Sequence, residues 1–487
     1  MSKCPLFNDI KKKDAFRSSL GIEETINTMQ SDLCQAIGNN TSYAYYYAFI
    51  TWAFYDYELN TDKEDYSFNG AYEYLKKQNF FFSLSYILND TTVVGAIGYD
   101  YINRMDLNAN SFSYQEQYLQ SLQSLEYYYA SLDTLLLLKN NSLDGDKLSH
   151  PTITEYGKEL AVEFEKVISN TDYYKKYRLS GVNIPREVLI QLANTVDLHL
   201  SKNKELKECL KNIFFDNKYV DLENGLRSTK DYVLFIDSKY DISYLKNNMR
   251  NVIYDYFSPR GYNYDYPEEL KDIVKKWELV CGRRYFTLGI SIIWKYMLPI
   301  ISEPLSFNEW VEKCLNYYEY DFDFNEKLSD YINRIDLSYE KREEIINRDR
   351  KDGFEDKESI CNGIKLILSV YKRFIDRDDI NHNISYIVNS DSDTLPLYAF
   401  FDIVNKYLDE PIYKFIEYLM MNYLIKQNER TAYRKMMNEN KYGYHYEEFN
   451  NKYVLSRHYY FGLGNDRIIA LIRILKDLNM LVGDVNE

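Results

Sequence analysis

Apolar residues recur along this chain at steps of three and four, and that spacing constrains the fold more than any other feature of the sequence. Ile22, Ile26, Met29, Leu33 and Ile37 fall on one face of a helix that should end at Gly38. Leu119, Leu122, Leu125, Tyr129, Leu132 and Leu136 repeat the pattern over a longer span. Pro185 stands at a first-turn position, with Val188, Leu189, Leu192 and Val196 turned inward. The stretch DRIIALIRILKDLNML, from Asp466, puts Ile468, Ile469, Ile472, Leu475 and Leu478 on a buried side. Strand candidates are few: TTVVGAIG at 91–98 and DYVLFIDS at 231–238, both too short for periodicity to separate strand from buried helix. No internal repeat is visible. The expected class is mainly α, several helical modules with few short strands.

Length allows roughly two to four domains, and polar connectors near 139–149, 341–358 and 388–394 are plausible boundaries. The division expected is 1–110, 111–170, 171–300 and 301–487. Hydrophobic residues make up 45%, enough for sizeable cores. The 51 tyrosines are explained by AT-rich codons, which Tyr shares with the abundant Asn and Ile. A net charge of −15 repels phosphate, so nucleic-acid contact would require a local basic patch or a basic partner. Six cysteines are scattered without CxxC pairs, which fits free thiols in a reducing compartment. The N-terminus lacks the apolar core of a signal peptide. The most apolar run, YFTLGISIIWKYMLPII, is broken by Lys295 and Pro299. A soluble cytoplasmic protein is expected.

TITEYGKEL, at 152–160, has a clear local logic. Thr154 is a good helix N-cap, because its hydroxyl can accept a free first-turn N–H. Glu155 suits the positive end of the helix dipole. Gly157 is a poor helix former, so its presence implies close approach by a neighbouring element. Leu160, Phe164, Val167 and Ile168 then face inward. Helix, short strand, the polar loop KNNSLDGDKLSHP, then Thr-x-x-Gly-Lys-Glu-Leu and a closing helix: this order, over about 112–170, resembles the end of a winged-helix domain. The resemblance implies an embedded winged-helix-like module in which Thr154, Gly157 and Lys158 mark the binding segment. Duplex readers carry Lys or Arg on the recognition helix and wing. Here Tyr114–Leu136 has neither, and the loop has only Lys139 and Lys147. Protein docking is therefore expected ahead of DNA readout.

The segment from Ser19 to Tyr57 resembles the opening of a family of bacterial proteins with an L-G…T…Y-Y-x-F-x-x-W pattern, matched by Leu20, Gly21, Ile37, Thr41, Tyr46, Tyr47, Phe49 and Trp52. VVGAIGYDYI is similar to the Gly-containing segment that follows in such proteins. Uncharged residues around Ser42–Tyr45 replace the family's paired arginines, and its Pro-Gly step is not intact. The resemblance implies an accessory subunit of an SMC-type ATPase in a bacterial, Lamassu-like antiviral defence operon. A Tyr-rich amphipathic helix packed against Trp52 explains the same residues without any function.

Catalytic signatures are mostly missing. GxxxxGK[ST], GxSxG and HExxH are absent, and GLGND at 462–466 and GAIG at 95–98 are too short for dinucleotide fingerprints. His199, three residues past Val196, reads as a core histidine, and His445 and His458 lack a ligand spacing. DYVLFIDSK offers Asp237 and Lys239 at a strand end. With Asp221 or Glu223 upstream, that would suit a metal-dependent nuclease of the restriction-endonuclease type, carboxylates holding Mg²⁺ and Lys orienting water. EKREEIINRDRKDGFEDKE reads as a solvated helix and loop. Arg283 with Arg284, and Arg467 with Arg473, are the compact basic spots, and surface ion pairing accounts for them.

The leading expectation is a non-catalytic, aromatic-rich helical subunit of an anti-phage or anti-plasmid complex. It needs no cofactor, bridges an SMC-type ATPase and an effector nuclease, and meets DNA only through the complex and the membrane not at all. The alternatives are the nuclease using Asp221, Asp237 and Lys239, and a winged-helix DNA-binding regulator.

Overall fold

The computed structural model describes residues 20–39, 41–62, 65–90, 96–114, 128, 131–132, 134–140, 151–216, 225–239, 242–255, 265–351, 356–377, 396–439, 444–459 and 466–481. The fold is mainly helical, with three two-stranded antiparallel ribbons among the described residues. The ribbons pair Ser111–Phe112 with Ile184–Pro185, Leu138–Asn140 with Pro151–Ile153, and Tyr446–Phe449 with Lys452–Leu455. The chain divides into two compact units, each discontinuous in sequence. The first comprises Met1–Met29 and Arg250–Gly464; the second comprises Gln30–Met249 and Asn465–Glu487.

At the centre of the second unit lies the helix Tyr45–Asn60, in which every residue from Tyr45 to Phe54 is buried. A helix apolar on all sides must be surrounded, and helices Phe68–Asn89 and Glu155–Ile168 pack directly on it. Arg186–Thr195 covers the former and Lys204–Phe215 the latter. Aromatic rings interlock between these helices: Phe49 with Phe82 at 4.9 Å, Trp52 with Phe164 at 5.4 Å, Tyr47 with Phe214 at 4.8 Å between centroids. The tyrosines here are core residues, and the hydroxyls of Tyr46 and Tyr47 find partners. Tyr46 accepts the Ile97 N–H at 2.6 Å, and Tyr47 donates to the Ala36 carbonyl at 2.7 Å.

Helix boundaries differ from expectation where local backbone overrides periodicity. The helix beginning at Glu23 stops at Leu33, short of Gly38, and Ala36 takes a left-handed φ of 62° while Ile37 stays buried. Pro185 is the extended residue before its helix and pairs in a ribbon with Ser111; Val188, Leu189, Leu192 and Val196 are buried as expected. In the last helix, Arg467–Asp477, Ile468, Ile472 and Leu475 are buried, as is Leu478 just beyond it, and Ile469 is half-exposed. Leu119, Leu122, Leu125 and Tyr129 lie outside the described residues, as does most of 91–98.

The first unit is organised by Lys271–Met297, a helix of 27 residues buried throughout from Trp277 onward. This element contains the most apolar run of the sequence up to Met297, and Leu298–Ile301 continues it as a 3-10 turn. Among the described residues no helix is long and apolar enough to cross a membrane. It runs antiparallel to Ser359–Phe374: Gly282 faces Phe374 and Gly289 faces Gly363. A Cβ on Gly289 would lie 2.7 Å from the Gly363 carbonyl oxygen, so the two backbones touch there. Charges close one end of this pair. Glu278, fully buried, accepts from Arg373 Nε at 2.8 Å and Arg377 Nη2 at 3.4 Å. Asp255 pairs with Arg342, and Arg342 and Arg373 lie over the Tyr254 ring at 5.0 and 4.3 Å. The helix Tyr339–Lys351, expected to be a solvated face, is therefore anchored by a buried arginine.

Candidate functional site

Thr154 sits where the Leu138–Asn140 and Pro151–Ile153 ribbon turns into the helix Glu155–Ile168. Its hydroxyl accepts the Gly157 N–H at 3.1 Å and donates to the Leu136 carbonyl, while its own N–H donates to Leu137 O at 3.2 Å. A Cβ on Gly157 would fall 2.2 Å from Leu137 O and 2.9 Å from Ile153 Cγ2. Only a hydrogen fits there, and this is the close approach expected of that glycine. Leu136, expected on a helical face, has left the helix; it takes φ 54° and stands about half exposed. Loss of the Thr154 cap or a methyl on Gly157 would shift the whole strand-to-helix corner.

The outer side of this helix forms one wall of an open groove of about 820 Å³, and Lys204–Phe215 forms the other. The lining is charged: Glu155, Glu159, Glu163, Glu205 and Glu208 against Lys158, Lys166 and Lys204, a net of −2. Several of these charges pair along their own helices, Lys158 with Glu155 at 2.8 Å and Lys166 with Glu163 at 2.5 Å. Such exposed, salt-screened pairs contribute little to stability, and a partner's charges can replace them. Cys209 also lines the groove. Burial, aided by Glu163 and Glu159, pushes its thiol up to about 11, so it is protonated at neutral pH and a poor nucleophile. Lys158 is accessible at the groove's edge, while Thr154 and Gly157 act as scaffold beneath it.

The other residues singled out from sequence do not gather here. Asp237 is the last residue of a helix, Gly225–Asp237, so no strand forms at 231–238. Leu226, Thr229, Tyr232, Val233 and Ile236 are all buried at helical spacing, and that longer pattern decided the local structure. Lys239 lies in the following turn with its ammonium 5.6 Å from the Phe235 ring centroid; Asp221 and Glu223 lie outside the described residues. The strand end on which the nuclease alternative depended is absent. Among the described residues no group of three or more His, Cys, Asp or Glu is placed to hold a metal ion. Arg283 and Arg284 form no exposed basic spot, since both are buried within Lys271–Met297. Arg467 is half-buried, its Nε donating to Asn39 Oδ1 at 3.2 Å.

One constellation escaped sequence reasoning. Asp477, with 3% of its side chain exposed, accepts His199 Nδ1 at 2.7 Å on one oxygen and the Ala44 N–H at 2.9 Å on the other. His199, expected in the core, has 60% of its side chain exposed and stands edge-on to Tyr43 at 5.2 Å. The helix ends at Thr195, which carries His199 off the apolar face. The hydrogen bond donated to Asp477 outweighs partial burial and raises the imidazole above its usual range. The carboxylate also serves the N-terminus of Tyr45–Asn60, where Ala44 offers no side-chain cap. The one available signal was an acid at an inward position of the last helix, between Ile474 and Leu478.

Comparison with protein-family models, characterised proteins and solved structures finds no match to this chain.

Proposed function

We propose that the chain is a non-catalytic helical subunit that docks a protein partner in the groove between Glu155–Ile168 and Lys204–Phe215. The observation that carries this reading is the groove itself, long, open and charged, with walls fixed from beneath by the Thr154 cap and the Gly157 contact. A surplus of glutamates favours a basic partner segment. On the resemblance of the N-terminal and 112–170 segments, the partner is an SMC-type ATPase of a bacterial anti-phage or anti-plasmid complex. The chain bridges it to an effector nuclease, and DNA is met through the assembled complex. The ribbon followed by a capped helix supports use of a winged-helix-like module as a protein-binding surface.

The test is affinity purification of the tagged protein expressed with its neighbouring genes, in wild-type form and as Glu159→Lys/Glu205→Lys. Both glutamates are exposed, so reversal leaves the cores untouched. The ATPase is expected at stoichiometric yield with wild type and strongly reduced with the double variant. Recovery of wild type alone would refute the subunit reading, and an ATPase retained equally by both would move the docking site elsewhere.

A further inference from the structure

A second cavity, in the first unit, has the opposite electrostatic character. It is a recess of about 370 Å³ into which three cationic side chains project from three helices. Arg334 comes from the end of Leu328–Arg334, Lys341 from the first turn of Tyr339–Lys351, and Lys365 from Ser359–Phe374. Asp321 and Asp336 also line it, leaving a net of +1 in a chain of −15. A cationic recess on a strongly acidic protein concentrates anions locally.

Hydrogen bonds within the recess already commit part of its polar groups. Asp321 already accepts from Lys365 Nζ at 2.8 Å, Tyr331 OH at 3.0 Å and Cys361 Sγ at 3.2 Å. Arg334 is held by both oxygens of Glu326 and by the Asp321 carbonyl at 3.2 Å, and its guanidinium lies 5.0 Å from the Tyr331 ring centroid. Donors nevertheless remain. Lys365 has two N–H groups beyond the one given to Asp321, and the exposed Lys341 ammonium has no ion pair among the described residues. Burial alone would draw Lys365 down, but the hydrogen bond it donates to Asp321 and the nearby negative charges hold it up, so it stays charged. The recess thus sets the spare N–H groups of Lys341 and Lys365, from two helices, against the single Asp336 carboxylate, and donors are in excess. A tetrahedral oxyanion, with three free oxygens, satisfies such a set better than a planar carboxylate. Tyr331, Ile335 and Leu337 add apolar lining where a small organic group can rest.

We infer that this recess binds the phosphate group of a small phosphate monoester, with Lys341, Lys365 and Arg334 as its ligands. Neither the docking groove nor any partner enters this inference.

Phenyl phosphate and inorganic phosphate are the probes, titrated into the full chain by calorimetry at constant ionic strength, with acetate as competitor. Two variants accompany wild type: Lys341→Glu, an exposed change that leaves the fold intact, and Lys365→Met, checked for folding by circular dichroism. Saturable phenyl phosphate binding is expected, displaced by inorganic phosphate and weakened by roughly tenfold or more in Lys341→Glu, as for loss of one charge-assisted contact. No saturable binding of either probe would overturn the proposal. Binding unchanged in both variants would place it elsewhere and overturn it equally. Inorganic phosphate binding without phenyl phosphate would overturn the monoester assignment, and equal competition by acetate would overturn the tetrahedral one.

Discussion

His445 is the clearest case of a single residue whose chemistry is set by its surroundings. It is buried between Trp294 and Tyr459, and its Nδ1 reaches the Arg457 carbonyl at 3.3 Å. Burial, helped by the Arg457 charge, depresses its pKa to about 4. The unfolded chain therefore binds more protons than the folded one between about pH 6.5 and 4. This contribution is complete above the unfolded value and is lost as pH falls through that window, amounting to about 3 kcal/mol at full extent. His445→Phe keeps a ring against Trp294 and removes the titration. In urea melts its stability is expected to fall less than that of wild type between pH 7 and 4.5; parallel losses would contradict this account. His199 behaves in the opposite sense, since Asp477 favours its cation. The stability it lends is present below the unfolded histidine value and disappears as pH rises through the raised one. Asp477→Asn should lower the His199 titration midpoint in NMR, and an unchanged midpoint would show that the carboxylate does not set it.

At the scale of elements, the strand-to-helix corner at Thr154 is where sequence and structure agree most closely. Gly157→Ala would push a methyl against the Leu137 carbonyl and is expected to cost about 1–3 kcal/mol, as overpacking generally does. Thr154→Ala removes the cap and should cost about 1 kcal/mol. Thermal melts of both variants test the order, and a Gly157→Ala protein as stable as wild type would mean that the corner relaxes freely. The cap is legible because Thr154 and Gly157 lie within one helical turn, and the glycine signals a close approach, though Leu137, which makes it, lies far upstream. The helix Gly225–Asp237 was not legible from DYVLFIDS alone, for its deciding residues include Leu226 and Thr229, upstream of the apolar run. The inward face of Arg186–Thr195 was readable from period, as was that of Glu155–Ile168 except for Val167, which is half-exposed. The groove between Glu155–Ile168 and Lys204–Phe215 was not, because nothing local records which helices become neighbours. The cationic recess, assembled from three separate helices, was hidden for the same reason.

On the scale of the whole molecule, the discontinuity of the second unit has the largest consequence. Its final helix, Arg467–Asp477, reaches it only after the chain has passed through all of 250–464. That helix contributes Ile468, Leu471, Ile472, Ile474 and Leu475 to the core, with Leu478 just beyond it. Asp477 holds the Ala44 N–H and His199, and Asn479 accepts Lys207 Nζ at 2.9 Å. These six buried aliphatic side chains are worth about 9–18 kcal/mol as an upper bound, comparable with the roughly 5–15 kcal/mol that stabilises a typical domain. Removing 465–487 should therefore unfold the unit that begins at residue 30, hundreds of residues from the cut. The first unit has its own core in Lys271–Met297 and Ser359–Phe374, neither of which draws on the deleted helix for its mutual packing. Hydrogen–deuterium exchange on the full chain and on the chain ending at Gly464 separates the possibilities. Tyr45–Asn60 and Lys204–Phe215 are expected to lose protection in the shorter chain while Lys271–Met297 retains it. Protection retained in Tyr45–Asn60 would mean that the last helix is a dispensable cover. Loss spread equally over both sets of helices would mean that the two units fold as one.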